Sequence, residues 1–301
     1  MRIAYIARHD AGGNRDEDAV SFALEELGHE VIRIHERRAS DALLEKPKPD
    51  FVLFNKLDAP HVLQKLDCPK VFWYWDLVDW NDPTLRPRNK QRIAWMKRTL
   101  KFADLGFCTD GDWVERYNPD CGGKLVWLLQ GFDRRVEAIF ASDVVARYDI
   151  SFFGISKGGG RERIAFVNKL RGRYGDRFHH CSSGFYGPRL AELIAQSRIV
   201  LGPSSPVTDR YWSNRVYWMC GLAGFLLHKD SAGLREQYEH GRDVVYYRSM
   251  TELFELIDHY LGDVEARQKI RFSAYMQTMM NHTYTHRCKC LVSTVKERLS
   301  I

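Results

Sequence analysis

A glycine-rich turn lies in the second half of the chain, between an apolar segment and basic residues. The segment is Phe153-Gly-Ile-Ser-Lys-Gly-Gly-Gly-Arg-Glu-Arg163. Glycines let a backbone approach a ligand closely, and the first amides of a following helix favour negative charge. The residues that this pattern predicts to bind a diphosphate are Gly154, Ser156, Lys157 and Arg161. A mobile loop without a ligand is the alternative interpretation.

An aromatic segment in the first half ends in carboxylates. It is Val71-Phe-Trp-Tyr-Trp-Asp-Leu-Val-Asp-Trp80, so that Asp76 follows the apolar run and Asp79 comes one short turn later. A carboxylate at the end of a buried strand can deprotonate a hydroxyl group or hold sugar hydroxyls. Asp76 is therefore the first candidate catalytic residue, with the capping of a turn as the alternative. The tryptophans are interpreted as core residues.

The first apolar segment leads into the turn Ala7-Arg-His-Asp-Ala-Gly-Gly13. Gly12 and Gly13 are candidates for close contact with a ligand, since a helix N-terminus follows them. His9 and Asp10 are further candidates for a general base. A plain strand-to-helix turn with solvated side chains is the other interpretation of these two residues.

Seven basic residues without an intervening acidic residue form the most uneven charge distribution in the chain. They are Arg86, Arg88, Lys90, Arg92, Lys97, Arg98 and Lys101. The stretch also has apolar residues at helical spacing, which predicts an exposed helix. A solvated helix face is one interpretation. The other is an acceptor surface, with Arg92, Lys97 and Arg98 contacting DNA or another phosphate-bearing polymer.

Alternating strands and helices must position these residues, which is typical of parallel α/β structure. Strands are predicted at 2–7, 30–34, 50–54, 70–75, 104–108, 124–129, 149–154, 177–180, 198–201, 224–227 and 243–247. Later helices are predicted at 161–173, 189–196, 213–221 and 251–261 and over much of 264–299. For the first helix, Asn14 is the predicted N-cap, Glu17 completes a capping box, and Gly28 ends the helix.

The 301 residues suffice for two domains. The predicted fold class is α/β, with two Rossmann-like domains facing across a cleft. Residues 1–133 would form the first domain, which would bind the acceptor of a transferred group, and residues 134–285 would form the second domain, which would bind its donor. Residues 286–301 would form a helix that packs back on the first domain. In such sheets, ligands bind at the carboxyl ends of strands, where the strand order reverses.

Several classes of protein do not fit the sequence. No apolar run approaches the roughly 20 residues of a membrane span, and we expect a cytoplasmic protein without a transmembrane segment. The seven cysteines lack zinc-finger spacing, so no metal site is predicted. Neither GxGxxG nor GxxxxGK[ST] occurs where a cofactor fold would need it. The net charge of +6 suits an anionic ligand such as a diphosphate.

The segment 212–227, WSNRVYWMCGLAGFLL, resembles the C-terminal region of CgeB/spore-coat-type glycosyltransferases, which are relatives of the GT-B group. The similarity continues through 233–241, 243–247 and 249–261 to the segment 282–287, and 128–133 is similar to the interdomain motif. The resemblance implies that Glu236 binds the nucleotide ribose. It also implies that the helix start Ser213-Asn214-Arg215 faces the donor sugar and phosphate. Trp218 departs from the family, which often carries an acidic residue there.

These observations predict a glycosyltransferase that moves a sugar from a nucleoside diphosphate sugar to an acceptor hydroxyl. The nucleotide sugar would be a co-substrate, and no further cofactor is expected. Three alternatives remain: a DNA-modifying glycosyltransferase, a nucleotide-sugar epimerase of the same fold, and a non-catalytic nucleotide-sugar-binding protein.

Overall fold

The computed structural model describes residues 1–9, 15–38, 48–57, 60–78, 86–140, 146–155, 160–204 and 208–301. The chain divides into two compact units. The N-terminal unit comprises residues 1–131 together with 284–301, and the C-terminal unit comprises residues 132–283. Each unit is built around its own parallel sheet.

The N-terminal unit contains a six-stranded parallel sheet in the order β2-β1-β3-β4-β5-β6. Its strands are β1 (Arg2–Ala7), β2 (Glu30–His35), β3 (Phe51–Phe54), β4 (Lys70–Tyr74), β5 (Leu105–Cys108) and β6 (Leu125–Trp127). Its helices are α1 (Asp16–Glu26), α2 (Arg86–Leu100), α3 (Gly111–Tyr117) and the C-terminal α10 (Tyr284–Leu299).

Both faces of this sheet are covered, which explains why its strands are apolar at nearly every position. Tyr5 and Trp73 point to the face that α1 and α10 cover, where Cys288 of α10 is completely buried. Phe72 points to the opposite face and packs there with Met96 of α2. The alternation along each strand therefore separates the two layers of the core.

The start of α1 differs from the prediction. The helix begins at Asp16, and the Asp18 carboxylate accepts a hydrogen bond of 3.4 Å from the backbone N–H of Arg15. Asp18 therefore occupies the capping-box position predicted for Glu17, while Asn14 lies outside the described residues. Gly28 ends the helix as predicted, with a φ of +84° that favours glycine.

The C-terminal unit contains a five-stranded parallel sheet in the order β8-β7-β9-β10-β11. Its strands are β7 (Tyr148–Phe153), β8 (Phe178–Cys181), β9 (Ser197–Gly202), β10 (Leu226–Lys229) and β11 (Val245–Tyr247). Its helices are α4 (Gly160–Tyr174), α5 (Gly187–Ala195), α6 (Arg215–Gly221), α7 (Ala232–Gln237), α8 (Met250–Gly262) and α9 (Val264–Asn281).

The predicted α/β class is confirmed, and each of the eleven predicted strands is present within a few residues of its expected bounds. The helical region 264–299 is divided in two, since Thr283 pairs with Phe132 in an isolated bridge between α9 and α10. Within the described ranges, no helix is both long enough and apolar enough to cross a membrane.

Packing around α6 leads to a first prediction. A Cβ atom at Gly221 would lie 2.5 Å from the ring of Phe132, whereas one at Gly172 in α4 would meet no described atom within 4 Å. Gly221→Ala should lower the free energy of unfolding by about 1–3 kcal/mol through overpacking. Gly172→Ala should raise it by about 0.5–1 kcal/mol, because alanine favours the helix. Urea denaturation of both variants checks this, and equal effects would contradict the packing described for Gly221.

Candidate functional site

Strand order indicates where each unit can bind a ligand. In the N-terminal unit, β2 lies on one side of β1 and β3 on the other, so the order reverses between β1 and β3. In the C-terminal unit, the order reverses in the same way between β7 and β9. Helices leave the sheet in opposite directions at such a point and open a crevice at the carboxyl ends of the strands.

Two arginines stand at the crevice of the C-terminal unit. Arg163 lies in the first turn of α4, and its Nη1 donates to the carbonyl oxygen of Ile155, just after β7, at 3.4 Å. Arg215 is the first residue of α6, and its backbone N–H donates to Ser213 Oγ at 3.4 Å. Both side chains are half-buried. They are also close enough that the charge of Arg215 lowers the pKa of Arg163.

No carboxylate among the described residues pairs with either guanidinium. Burial, followed by the charge of Arg215, lowers the pKa of Arg163 to about 10, and burial lowers the pKa of Arg215. Arg163 Nε is buried without a hydrogen-bond partner in the described part of the chain. Two neighbouring half-buried cations without a counter-ion are unfavourable in a folded protein. An anion between them would remove this penalty.

Aromatic side chains flank the two arginines. The phenol of Tyr186 influences the pKa of Arg215, and its side chain is 66% exposed. Its ring stacks on the buried ring of Phe185, with centroids 5.5 Å apart and planes inclined by 15°. Tyr211 also contributes to the electrostatic environment of both arginines. An exposed, rigidly supported ring beside a cationic pair is suited to stacking on a nucleobase.

A buried histidine, His228, lies within electrostatic range of Arg215. His228 is in β10, where Nδ1 contacts the carbonyl oxygen of Lys229 at 2.7 Å and Nε2 contacts Ser204 Oγ at 3.3 Å. The carbonyl can only accept, so Nδ1 carries the proton and Nε2 accepts from the serine. Burial lowers the pKa of His228 to about 4, and the charge of Arg215 acts in the same direction. His228 is therefore neutral.

The residues predicted to bind the sugar donor occupy different environments. Gly154 follows β7, and its carbonyl oxygen lies 2.8 Å from His180 Nε2. Asn214 immediately precedes α6, next to Ser213. Arg161 is exposed on α4, and Glu236 is exposed in the last turn of α7. Ser156 and Lys157 lie outside the described residues.

The predicted convergence of Lys157, Arg161 and Arg215 stays a prediction, and the structure adds Arg163, whose pKa the charge of Arg215 lowers. A signal for this was present in the sequence. Arg163 shares helical spacing with the buried Phe166, Val167 and Leu170, whereas Arg161 falls on the solvent side. The helical periodicity of α4, applied to its basic residues, would have selected Arg163.

The crevice of the N-terminal unit holds a different set of side chains. Lys56, just after β3, forms an ion pair of 2.8 Å with Asp76, just after β4, and both are exposed. His9 Nε2 lies 3.1 Å from the carbonyl oxygen of Tyr5, and His9 Nδ1 lies 3.7 Å from a carboxylate oxygen of Asp18. Asp10, Gly12 and Gly13 lie outside the described residues. Asp76 and His9 thus lie at the predicted end of the sheet.

The basic stretch is helical, as predicted, but two of its three selected cations have partners within the unit. Arg92 donates to the carbonyl oxygen of Leu77. Lys97 lies 3.6 Å from Asp120 and 4.9 Å from the ring centre of Tyr117. Arg98 is exposed.

Residues 161–293 match the profile of the family described as "Glycosyl transferase-like". The match includes α4 and α6, and with them both arginines of the crevice. It confirms the glycosyltransferase resemblance drawn from residues 212–287. No curated protein matches the chain by sequence.

Solved structures extend the comparison to the whole chain. Sucrose-phosphate synthase from Thermosynechococcus elongatus has a TM-score of 0.70 at 12% identity, covering 100% of this chain and 99% of that one. HepE from Anabaena, in complex with UDP and glucose, has a TM-score of 0.69 at 12% identity, with 99% and 100% covered. The catalytic domain of starch synthase IV from Arabidopsis thaliana, bound to ADP and acarbose, has a TM-score of 0.68 at 10% identity, with 100% of both chains covered. These similarities establish a GT-B-like fold for this chain.

His228 gives this unit a predictable pH dependence. Its folded pKa of about 4 lies below the value of about 6.5 expected in the unfolded chain. Between these values the unfolded state binds more protons, so the stabilisation present above pH 6.5 is lost as the pH falls towards 4. The loss from this group should be about 3 kcal/mol.

The free energy of unfolding should therefore change less between pH 7 and 4.5 in His228→Gln than in the wild type. His259→Gln is the matched control, because His259 is exposed. Denaturant titrations across this pH range provide the measurement. A pH dependence that is the same in His228→Gln and the wild type would show that His228 is not the responsible group.

Proposed function

We propose that this protein is a glycosyltransferase that transfers a sugar from a nucleoside diphosphate sugar to an acceptor hydroxyl. The observation that carries the proposal is the pair Arg163 and Arg215, two half-buried guanidiniums without a carboxylate partner among the described residues. The pair lies at the point of strand reversal in a glycosyl transferase-like segment. A diphosphate would supply the missing negative charge.

Guanidinium groups are suited both to binding the intact nucleotide sugar and to stabilising the diphosphate as it leaves. Each presents several N–H donors in a fixed plane and can bind two phosphate oxygens at once. When the bond between the sugar and the diphosphate breaks, negative charge increases on the departing oxygen. Positive groups already in place stabilise that charge without reorganisation. We assign this role to Arg163 and Arg215.

The nucleoside would extend from the diphosphate towards Tyr186. This exposed ring is supported by Phe185 and lies in the electrostatic environment of Arg215. We assign the nucleobase to its face and, on the family resemblance, the ribose to Glu236. HepE is also similar as complexes with UDP and with UDP-glucose, and starch synthase IV is a complex with ADP, which supports a nucleoside diphosphate as ligand class. Asp76 and His9 are proposed to orient or deprotonate the acceptor hydroxyl.

The diphosphate assignment predicts a selective loss of affinity. Arg163→Ala and Arg215→Ala should each weaken binding of UDP or ADP by about 10- to 100-fold, which corresponds to about 1.5–3 kcal/mol for a hydrogen bond to a charged group. Binding of the corresponding nucleoside should change little. Arg161→Ala is the matched control, because Arg161 lies on the exposed side of the same helix. Isothermal titration calorimetry measures all of these affinities.

If Arg161→Ala reduces diphosphate affinity as much as Arg163→Ala does, the assignment of Arg163 is wrong. If neither UDP nor ADP binds the wild-type protein, the proposed function itself is wrong.

Three further variants separate the contact with the nucleobase from the contact with the ribose. Tyr186→Ala should weaken UDP binding by about 1–3 kcal/mol through lost stacking, and Tyr186→Phe should preserve it. Glu236→Gln should weaken UDP binding more than binding of 2′,3′-dideoxy-UDP, which lacks the ribose hydroxyls. Calorimetry with both nucleotides checks this. Equal losses for the two nucleotides would remove Glu236 from the ribose site.

A further inference from the structure

Gly154, the first glycine of the glycine-rich turn, is fixed to the edge strand of its sheet through both of its backbone polar groups. Its N–H donates to the carbonyl oxygen of Cys181 in β8 at 2.9 Å. Its carbonyl oxygen lies 2.8 Å from Nε2 of His180, which is also in β8. A carbonyl group can only accept, so Nε2 carries the proton and donates it. A histidine side chain therefore fixes the direction of the peptide group at the end of β7.

The imidazole ring of His180 is held in place by its own neighbours. It stacks on the ring of Phe152, with centroids 5.3 Å apart and planes inclined by 6°, and lies parallel to the ring of Phe178 within 5°. Arg171 Nη2 lies 3.5 Å from Nδ1, which accepts, because a guanidinium can only donate. A Cβ atom at Gly154 would lie 2.9 Å from the ring of Phe152, which explains the glycine at this position. These contacts fix the plane of the His180 ring and the nitrogen that carries its proton.

The direction of the Gly154 carbonyl group determines where the next N–H points. A peptide bond is planar and trans, so the N–H of Ile155 points in the direction opposite to that carbonyl group. The carbonyl group points towards β8, and β9 is the neighbour of β7 on the other side. The N–H of Ile155 therefore points to the side of β7 on which the crevice between β7 and β9 opens.

This N–H is not part of the hydrogen-bond ladder of the sheet. The paired residues of β7 and β9 extend only to Ser151 and Val200, and β9 ends at Gly202. Within the described ranges, the N–H of Ile155 has no hydrogen-bond acceptor. The carbonyl oxygen of the same residue, by contrast, accepts from Nη1 of Arg163 at 3.4 Å. A backbone donor beside Arg163 is thus available to a ligand.

An N–H donor next to a guanidinium is suited to an anion. Backbone N–H groups held in a fixed direction bind phosphate oxygens in many proteins. Carbonyl oxygens would repel a phosphate, but those of Gly154 and Ile155, on either side of this N–H, both accept hydrogen bonds from side chains. The peptide group therefore presents its donor to the crevice while its acceptors are engaged elsewhere.

We propose that the backbone N–H of Ile155 donates to the diphosphate of the nucleotide sugar and that His180 is the positioning residue that directs this N–H. The inference rests on the proposed function, because it adds a donor to the site of Arg163 and Arg215. His180 does not contact the ligand. It acts through the peptide group between Gly154 and Ile155.

A pair of variants in β8 tests the role of His180. His180→Phe keeps an aromatic ring for stacking on Phe152 and removes the Nε2–H donor. UDP should bind this variant about three- to tenfold more weakly, since a hydrogen bond to a charged group is impaired but not deleted. Uridine, which lacks the phosphates, should bind as it does to the wild type. Isothermal titration calorimetry measures both affinities.

His179→Phe is the matched control. His179 is the preceding residue of β8 and faces the opposite side of the sheet, where it stacks on Tyr148 with centroids 4.0 Å apart. The exchange of one aromatic ring for another there should leave the affinities for UDP and uridine unchanged. A purely structural role of His180 would instead weaken UDP and uridine to the same extent.

The N–H of Ile155 can also be observed directly by NMR in the unaltered full chain. Saturation with UDP should move its amide proton resonance downfield, because a hydrogen bond to a charged oxygen deshields the proton. Saturation with uridine should leave that resonance close to its position in the free protein. This measurement needs no variant and decides the question even if His180→Phe does not fold.

Two results would overturn the inference while the proposed function stands, provided that UDP binds the wild type. One is an Ile155 amide resonance that UDP moves no further than uridine does. The other is a folded His180→Phe variant that binds UDP as tightly as the wild type, or that loses affinity for UDP and uridine equally. Failure of both UDP and ADP to bind the wild type would instead contradict the proposed function.

Discussion

The repulsion between two neighbouring guanidiniums, held partly out of water without an acidic partner in the described structure, is the interaction on which this account depends. Arg163 lies in the first turn of α4, and Arg215 lies at the start of α6. The apolar side chains of both helices are buried in the core of the unit and hold the helices in place. The packing of the C-terminal unit therefore maintains a charge arrangement that is unfavourable by itself. Such an arrangement is typical of a binding site that its ligand completes.

Strand topology explains why these groups occur where they do. Both sheets reverse their order beside their first strand, and the side chains of interest follow the strands that flank that reversal. The charged side chains at the two positions have opposite signs. The C-terminal unit presents cations with Tyr186 beside them, whereas the N-terminal unit presents carboxylates with unpaired tyrosine and asparagine groups. The position in the C-terminal unit is suited to an anionic nucleotide.

The sequence was sufficient to predict the strands and the fold class, because parallel strands buried on both faces are continuous apolar segments. It was less informative about individual side chains. Arg161 and Arg163 differ little as residue types, and only their positions around α4 decide which one points towards Arg215. Likewise, Glu17 fits a capping box with Asn14 in sequence, and only the observed helix start transfers that role to Asp18. The short helices α3 and α7 span too few residues for a periodic pattern to be recognised.

If a diphosphate lies between Arg163 and Arg215, a crystal structure of the protein with UDP will show it there. Phosphate oxygens should lie within about 2.7–2.9 Å of nitrogen atoms of both guanidiniums, the usual range for charge-assisted hydrogen bonds. A diphosphate bound elsewhere, or either arginine paired with a carboxylate of the protein in that complex, would contradict it.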